Sequence, residues 1–365
     1  MKIFICVHNL ANGGAERVSS LWANGFSNDG HEVHLLICEK NAPVNYEIDK
    51  KIIIHNISAD GNPIFRYFKK VFYLRGLLKS LKPDVAMGVL HPWNIWLLLA
   101  NIGLKTILIN TEHDCFERPQ EAPLKKSIRI EKFFLNRFFK TVTVLNNRDK
   151  ELLSKHMDNV RVMPNPLTFE PVDDAPRKEK IILAAGRLDD WYCKGFDVLI
   201  RAWAKISNDF LDWKLCIAGK GGQEDYNLLS AIIRECNIDN KVELLGFCEN
   251  LKDWYNKSSV FVLSSRYEGF GMVLLEAMSQ GCICIACDYH GRQGEIVTDE
   301  KNGFLCRGND VDELSLKLKM VLSKIEKNDR IDIIRREAIQ RSKEYTIDKI
   351  IGNWYSVFNS INENY

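Results

Sequence analysis

No apolar run in the chain approaches the roughly 20 residues that a membrane-crossing helix requires, so no spanning segment is expected. Nor is a signal peptide expected, because the opening MKIFICV is short and polar residues follow at once. A disulfide scaffold is missing too: the eleven cysteines are scattered singly, most within apolar runs such as IFICV and HLLIC, which predicts reduced thiols in a cytoplasmic protein. Only Cys282, Cys284 and Cys287 cluster, in the strand-like GCICIACD, where alternate side chains face opposite ways; small buried side chains are expected there rather than a metal site. The low hydrophobicity of a disordered chain is also lacking, since 46% of residues are hydrophobic and 27% charged.

Strong net charge is absent at +2, but the balance is uneven. Residues 1 to 169 hold 23 Lys and Arg against 16 Asp and Glu, or +7, and the remainder holds 27 against 32, or −5. One half of the molecule is therefore expected to face something anionic. A length of 365 residues favours two domains over one core.

Short apolar runs alternate with longer amphipathic stretches, the pattern of βα units on a parallel sheet. Strands are predicted near 2 to 7, 32 to 38, 51 to 55, 84 to 89, 106 to 110 and 141 to 145. Residues 163 to 180, with four prolines and a charge cluster, read as a linker. The alternation then restarts with IILAAGR, KLCIAG, KVELLGF, VFVLSS, CICIAC and GFLC. The predicted fold class is α/β, two doubly wound Rossmann-like domains facing each other across a cleft, with ligands beyond the carboxyl ends of the strands.

Three strand-end motifs carry candidate chemistry. In HNLANGGAERVSS, Gly13 and Gly14 precede a helix whose free amides suit a phosphate; the residues alone fit equally an ordinary tight turn with Glu16 offsetting the helix dipole. In AAGRLDDWYCKGFDVLIRAW, Arg187 follows a strand and Lys194 stands seven residues later, two cations suited to a pyrophosphate or, more blandly, two solvated charges. In SSRYEGFGMVLLEAMSQG, Glu268 and Gly-Phe-Gly fill the turn between a buried strand and a helix closed by Gly281. The amides of Phe270 and Gly271 are helix N-terminal donors, and Glu276 could accept from two neighbouring hydroxyls such as a ribose presents. His113 lies just past a strand between Glu112 and Asp114, which favours a functional role. Asp310-Val311-Asp312 opens a helix, so capping is expected rather than metal binding.

At Glu268-GlyPheGlyMetValLeuLeu-Glu276 the chain resembles the family 4 glycosyltransferases, retaining enzymes of the GT-B fold, and GRL before KGFDVLIRAW, VELLGF, WYNKSSVFVLSSRYEGFG and NGFLC match as well. The resemblance implies a domain 1–169 on the acceptor side, a nucleotide-sugar domain 170–345, and a segment 346–365 returning to the first domain. It implies that Arg187 and Lys194 hold the donor diphosphate, that Gly14 gives it an amide, and that Glu276 binds the ribose. Glu268 with the Phe270 and Gly271 amides would position the transferred sugar, the base would pack near Gly246 and Phe247, and His113 would lie beside the donor sugar. Catalysis would need no metal or other cofactor, the leaving charge being met by the cations and a helix N-terminus. The chain departs from the family at Gly281-Cys282-Ile283, where Gly-x-Pro is common, and in CDYHGRQGEIV, which lacks a Gly-Pro dipeptide and leaves sugar contacts near Arg292 open.

The basic half holds two segments of interest. Residues 62 to 84 carry six cations and no acid before Asp84, and the grouping of Arg66, Lys69 and Lys70 with Phe65, Phe68 and Phe72 suggests a helix lying on an anionic membrane. Residues 124 to 140 carry six cations, one acid and four phenylalanines, and read equally as membrane-facing or as a core helix with a solvated basic side. By the resemblance the acceptor would be a polyprenyl-diphosphate-linked saccharide of bacterial surface-polysaccharide assembly, at the inner face of the plasma membrane. The donor would be a UDP-hexose or UDP-N-acetylhexosamine, a reading helped by Gly13-Gly14-Ala15-Glu16-Arg17. A sugar-nucleotide epimerase and a non-catalytic nucleotide-sugar-binding protein are the alternatives. Nucleic acid is not an expected partner, since no recognition motif accompanies the charge.

Overall fold

The computed structural model describes residues 1–11, 13–38, 43–57 and 62–362. Two compact units divide the chain, one made of Met1–Thr168 with Ile347–Tyr365 and the other of Phe169–Thr346.

The first unit runs β1 Lys2–Val7, α1 Gly14–Asn28, β2 Glu32–Ile37, β3 Ile53–Asn56, α2 Pro63–Leu81, β4 Val85–Val89, α3 Trp93–Ala100, β5 Ile107–Thr111, α4 Lys126–Phe134, β6 Thr141–Val144, α5 Asn147–Ser154 and β7 Val160–Val162. Its seven strands are parallel in the order β3-β2-β1-β4-β5-β6-β7. β1 and β4 are wholly or almost wholly buried, as continuous apolar runs in a doubly covered sheet should be. β3, at the edge, leaves Ile53 and Ile54 exposed and sits two residues later than its apolar run suggests. β7 is the strand that alternation does not announce: it has three residues, of which only Val160 is buried.

The second unit runs β8 Glu179–Ala185, α6 Trp191–Lys194, α7 Phe196–Ala204, β9 Lys214–Ala218, α8 Gln223–Glu235, β10 Val242–Gly246, α9 Leu251–Lys257, β11 Ser258–Leu263, α10 Met272–Ser279, β12 Ile283–Asp288, β13 Phe304–Arg307, α11 Val311–Glu326 and α12 Ile331–Ser342. Its sheet, β10-β9-β8-β11-β12-β13, is again parallel. In both sheets the first three strands wind one way and the rest the other, which creates a switch point between β1 and β4 and another between β8 and β11. All eleven cysteines are free thiols, with Cys282, Cys284 and Cys287 buried around β12. Asp310 caps α11, its side chain accepting from the Glu313 amide at 2.9 Å. Among the described residues no helix is long and apolar enough to cross a membrane.

The last helix, α13 Ile347–Asn362, packs on α1 within the first unit. Gly25 makes the approach close: a Cβ there would stand 2.7 Å from Ile351 Cγ1. The fully buried Trp22 and Trp354 meet edge to face with ring centroids 5.1 Å apart. Trp354→Ala is expected to lower the stability of the first unit by about 3–5 kcal/mol, seen as an earlier transition in urea denaturation.

Candidate active site

Two loops leave the carboxyl ends of β8 and β11 at the second sheet's switch point, and backbone contacts stitch them together. Gly195, at φ 63°, lies so close to the other loop that a Cβ would stand 2.0 Å from the Ser264 carbonyl oxygen, so only glycine fits there. Ser264 Oγ donates to the Lys194 carbonyl at 2.8 Å, and the Arg266 amide to the Cys193 carbonyl at 2.7 Å. The Arg266 guanidinium adds a bond to the Tyr192 carbonyl at 2.6 Å and a bidentate pair to Asp197 at 2.8 and 2.7 Å. The stitching brings Lys194 Nζ to 2.8 Å from Glu268 Oε2, with the two side chains only 20% and 18% exposed. Ser265 Oγ donates to the same oxygen at 3.2 Å. Burial pulls the Lys194 ammonium down, but Glu268 outweighs it and leaves the lysine above its ordinary range.

Around this pair the sequence-predicted residues take varied positions. Arg187 is exposed and donates to Asp190 at 3.1 Å. Gly271, at φ 89°, is the N-cap of α10, whose first amides have no carbonyl one turn earlier to accept from them; the Phe270 side chain is buried with its ring 5.8 Å from that of Tyr345. Glu276 is buried, and the Tyr255 hydroxyl donates to its Oε2 at 3.0 Å. Burial, with Glu276 beside it, pushes Tyr255 well above the ordinary phenol range and keeps it a donor. Gly246 ends β10 at φ 74°, and the next side chain, Phe247, is 62% exposed.

In the first unit Gly14 opens α1 and is exposed, while Glu16 folds back to where a Cβ on Gly13 would meet its Oε2 at 2.1 Å. The helix N-terminus thus has a carboxylate over it, the arrangement that offsets its dipole. His113 has Nδ1 3.1 Å from Asn165 Oδ1, Nε2 3.2 Å from Thr111 Oγ1, and its ring 5.5 Å from that of Trp22. Burial pulls its imidazole down to about 4, against the opposite pull of Glu112 and Asp114. Sequence reasoning missed the network behind it. The Lys132 ammonium donates to Glu112 Oε2, Asn136 and Asn110 donate to Oε1 at 2.9 and 3.0 Å, and all four side chains are buried. Glu112 and Lys132 stand twenty residues apart, and neither periodicity nor spacing signals an inward-turned charge on the basic helix α4.

Of the cations predicted on the α2 face, Arg66 and Lys69 are exposed beside Phe65, Phe68 and Phe72, whose exposures are 68%, 54% and 70%. Lys70 does not share that face: it turns inward, donating to Cys38 Sγ at 3.0 Å with its ammonium 5.1 Å from the Trp96 ring centroid. Burial pushes the Cys38 thiol up, but His8 and Lys70 together outweigh it and bring it below the ordinary thiol range.

Residues 168–337 match the sequence model of the glycosyl transferases group 1, and residues 12–170 that of Glycosyltransferase Family 4. A Campylobacter jejuni enzyme, GalNAc-alpha-(1->4)-GalNAc-alpha-(1->3)-diNAcBac-PP-undecaprenol alpha-1,4-N-acetyl-D-galactosaminyltransferase, is 30% identical over 97% of both chains. The chain belongs to the family 4 glycosyltransferases. The amylovoran biosynthesis glycosyltransferase AmsD of Erwinia amylovora is 28% identical to it over 98% of this chain and 99% of that one. Among solved structures, Anabaena HepE in complex with UDP and glucose superposes with a TM-score of 0.81 at 18% identity, covering 99% of this chain and 100% of that one. Together with the two parallel sheets, this likeness gives the glycosyltransferase its GT-B class of fold.

In this glycosyltransferase the Lys194–Glu268 pair sets a cation and a carboxylate side by side at a parallel-sheet switch point, a place that suits an anionic leaving group next to a hydroxylated one. Among the described residues no three His, Cys, Asp or Glu side chains are placed to hold a metal ion. Glu268→Gln leaves a desolvated ammonium without its anion, so the Lys194 pKa is expected to fall below the ordinary lysine value, a titration that NMR of 13C-methylated lysines follows. Because Glu268 raises the folded-state pKa, the pair's contribution to stability is complete below the unfolded-state value and is lost as pH rises through the folded one. That loss is expected to be absent from the Glu268→Gln protein.

Proposed function

We propose that this glycosyltransferase moves a hexose or N-acetylhexosamine from a UDP-sugar, with retention of anomeric configuration, to a polyprenyl-diphosphate-linked saccharide at the inner face of the plasma membrane. The observation that carries the proposal is the Lys194–Glu268 contact, with Arg187 at the exit of the same strand loop. Arg187 and Lys194 hold the donor diphosphate and meet the charge of the leaving group without a metal. Glu276, oriented by Tyr255, binds the ribose, and the base packs against Gly246 and Phe247. Glu268 and the amides of Phe270 and Gly271 place the sugar. The bond from C1 to the diphosphate breaks as that from C1 to the acceptor oxygen forms on the same face, and the acceptor's proton passes to a diphosphate oxygen.

Relatives support the substrate classes. The names of two Campylobacter jejuni enzymes and one Escherichia coli enzyme place their acceptors on undecaprenol diphosphate, and the last names UDP-Gal as its donor. The exposed Phe65, Phe68 and Phe72 of α2, flanked by Arg66 and Lys69, suit the interface of an anionic bilayer. Ile130 and Phe134 of α4 and the following Phe138 are exposed as well, at 61%, 49% and 60%, among the cations of the second basic segment.

Purified protein is expected to release nucleotide from one member of a panel of UDP- and GDP-sugars, faster with a polyprenyl-linked acceptor, with the rate falling about 100-fold in Lys194→Ala and Glu268→Ala. Product formed from a UDP-sugar alone without UDP release would instead indicate an epimerase and overturn the transfer reading. In flotation with anionic vesicles the wild type is expected to rise with the lipid. Phe68→Ser with Phe72→Ser, or Arg66→Glu with Lys69→Glu, is expected to cut the bound fraction about tenfold, and a wild type that stays below the lipid would refute membrane association.

A further inference from the structure

The first sheet has its own switch point between β1 and β4, and His91 stands two residues past the end of β4. β4 pairs with β5 so that Val89 lies opposite Thr111. His91 and His113 each follow two residues later, so two imidazoles leave adjacent parallel strands at the same step of the carboxyl edge, where doubly wound sheets bind ligands.

Their surroundings differ. Both ring nitrogens of His113 lie within hydrogen-bond distance of protein oxygens. His91 commits one, Nδ1, which lies 2.5 Å from Oε2 of Glu131 on α4. A carboxylate only accepts, so Nδ1 carries the proton, and a carboxylate only 4% exposed requires such a donor. The rest of the ring reaches solvent: the His91 side chain is 50% exposed, and among the described residues none bonds Nε2. A buried carboxylate that fixes an imidazole from behind, with the opposite nitrogen left open, is how proteins orient a histidine toward a ligand. Lys132, the next residue of α4, holds Glu112 beside His113, so one turn of one helix sets both strand ends.

We propose that His91, held by Glu131, binds a hydroxyl of the saccharide acceptor. The proposal rests on the reading that the acceptor is a lipid-linked saccharide. A hydroxyl fits better than a phosphate because the Glu131 charge directly behind the ring opposes an anion, whereas a neutral group that both donates and accepts suits an open ring nitrogen.

Histidine-selective 13C labelling gives His91 a Cε1–H resonance, assigned by its loss in His91→Gln. A farnesyl-diphosphate-linked N-acetylhexosaminyl disaccharide is expected to shift that resonance, and farnesyl diphosphate alone to leave it in place. In steady-state kinetics with the same disaccharide, His91→Ala is expected to raise the acceptor KM about tenfold while the donor KM moves less than about twofold. Glu131→Ala, which removes the acceptor of the Nδ1 proton and frees the ring, is expected to raise the acceptor KM about threefold. A resonance that ignores both compounds, or follows farnesyl diphosphate equally, overturns the assignment, as does an acceptor KM in His91→Ala within about twofold of the wild type. Failure of the underlying transferase reading shows separately, as wild-type protein that releases no nucleotide from any sugar with the disaccharide lipid present.

Discussion

The contact of Gly195 with the Ser264 carbonyl is the constraint on which the candidate site depends. A parallel-sheet switch point sends its two central strands into loops that diverge, and nothing in the sheet's own hydrogen bonding holds those loops together. Removing one side chain lets two backbones touch, and the Ser264, Arg266 and Cys193 bonds then fix the register of one loop on the other. Lys194 and Glu268 meet as a consequence. Neither residue could be so enclosed alone, because a desolvated charge without a counter-charge costs several kcal/mol.

The first unit reaches a comparable result by other means. Its strand ends are held by a helix, and two consecutive residues of α4 reach them: Glu131 takes His91 and Lys132 takes Glu112. The same helix presents Ile130 and Phe134 to solvent. A single short element therefore bears exposed apolar surface on one side and, on the other, the carboxylate that orients His91 and the ammonium that pairs with Glu112. Buried ion pairs of this kind contribute little net stability over an apolar core, but they tolerate few alternative geometries, and this suits them to holding side chains in place.

How far the sequence foretold this varies with the range of the interaction. Strands buried on both faces, such as β1, β4 and β11, stand out because each carries an unbroken apolar run, and their ends follow within a residue or two. The edge strand β3 and the short β7 are displaced or missed, since partial burial leaves no pattern to read. Local chemistry was legible where it sits within one turn, as with the Asp310 cap and the positive-φ glycine that opens α10. Contacts spanning many residues were not. The Lys194–Glu268 pairing joins two motifs that the sequence supplies separately, seventy-four residues apart. Lys70 reads as one of a surface trio, yet helical rotation turns it from Arg66 and Lys69 toward Trp96 and Cys38, and no property of the lysine itself announces this. His91 carries no motif at all, and its interest arises only once the β4–β5 register sets it level with His113.

The placement of α13 has a bearing on how the chain is made. The second unit is an insertion within the first, which opens the sequence and is completed only by Ile347–Tyr365. During synthesis, therefore, every strand of the first sheet emerges while Trp22 still lacks Trp354, and the whole second unit is translated before the missing helix appears. The inserted unit can finish folding on the ribosome as a unit of its own, whereas the unit synthesised first carries an uncovered aromatic surface until that helix has been translated. The order of synthesis and the order of completion are thus reversed.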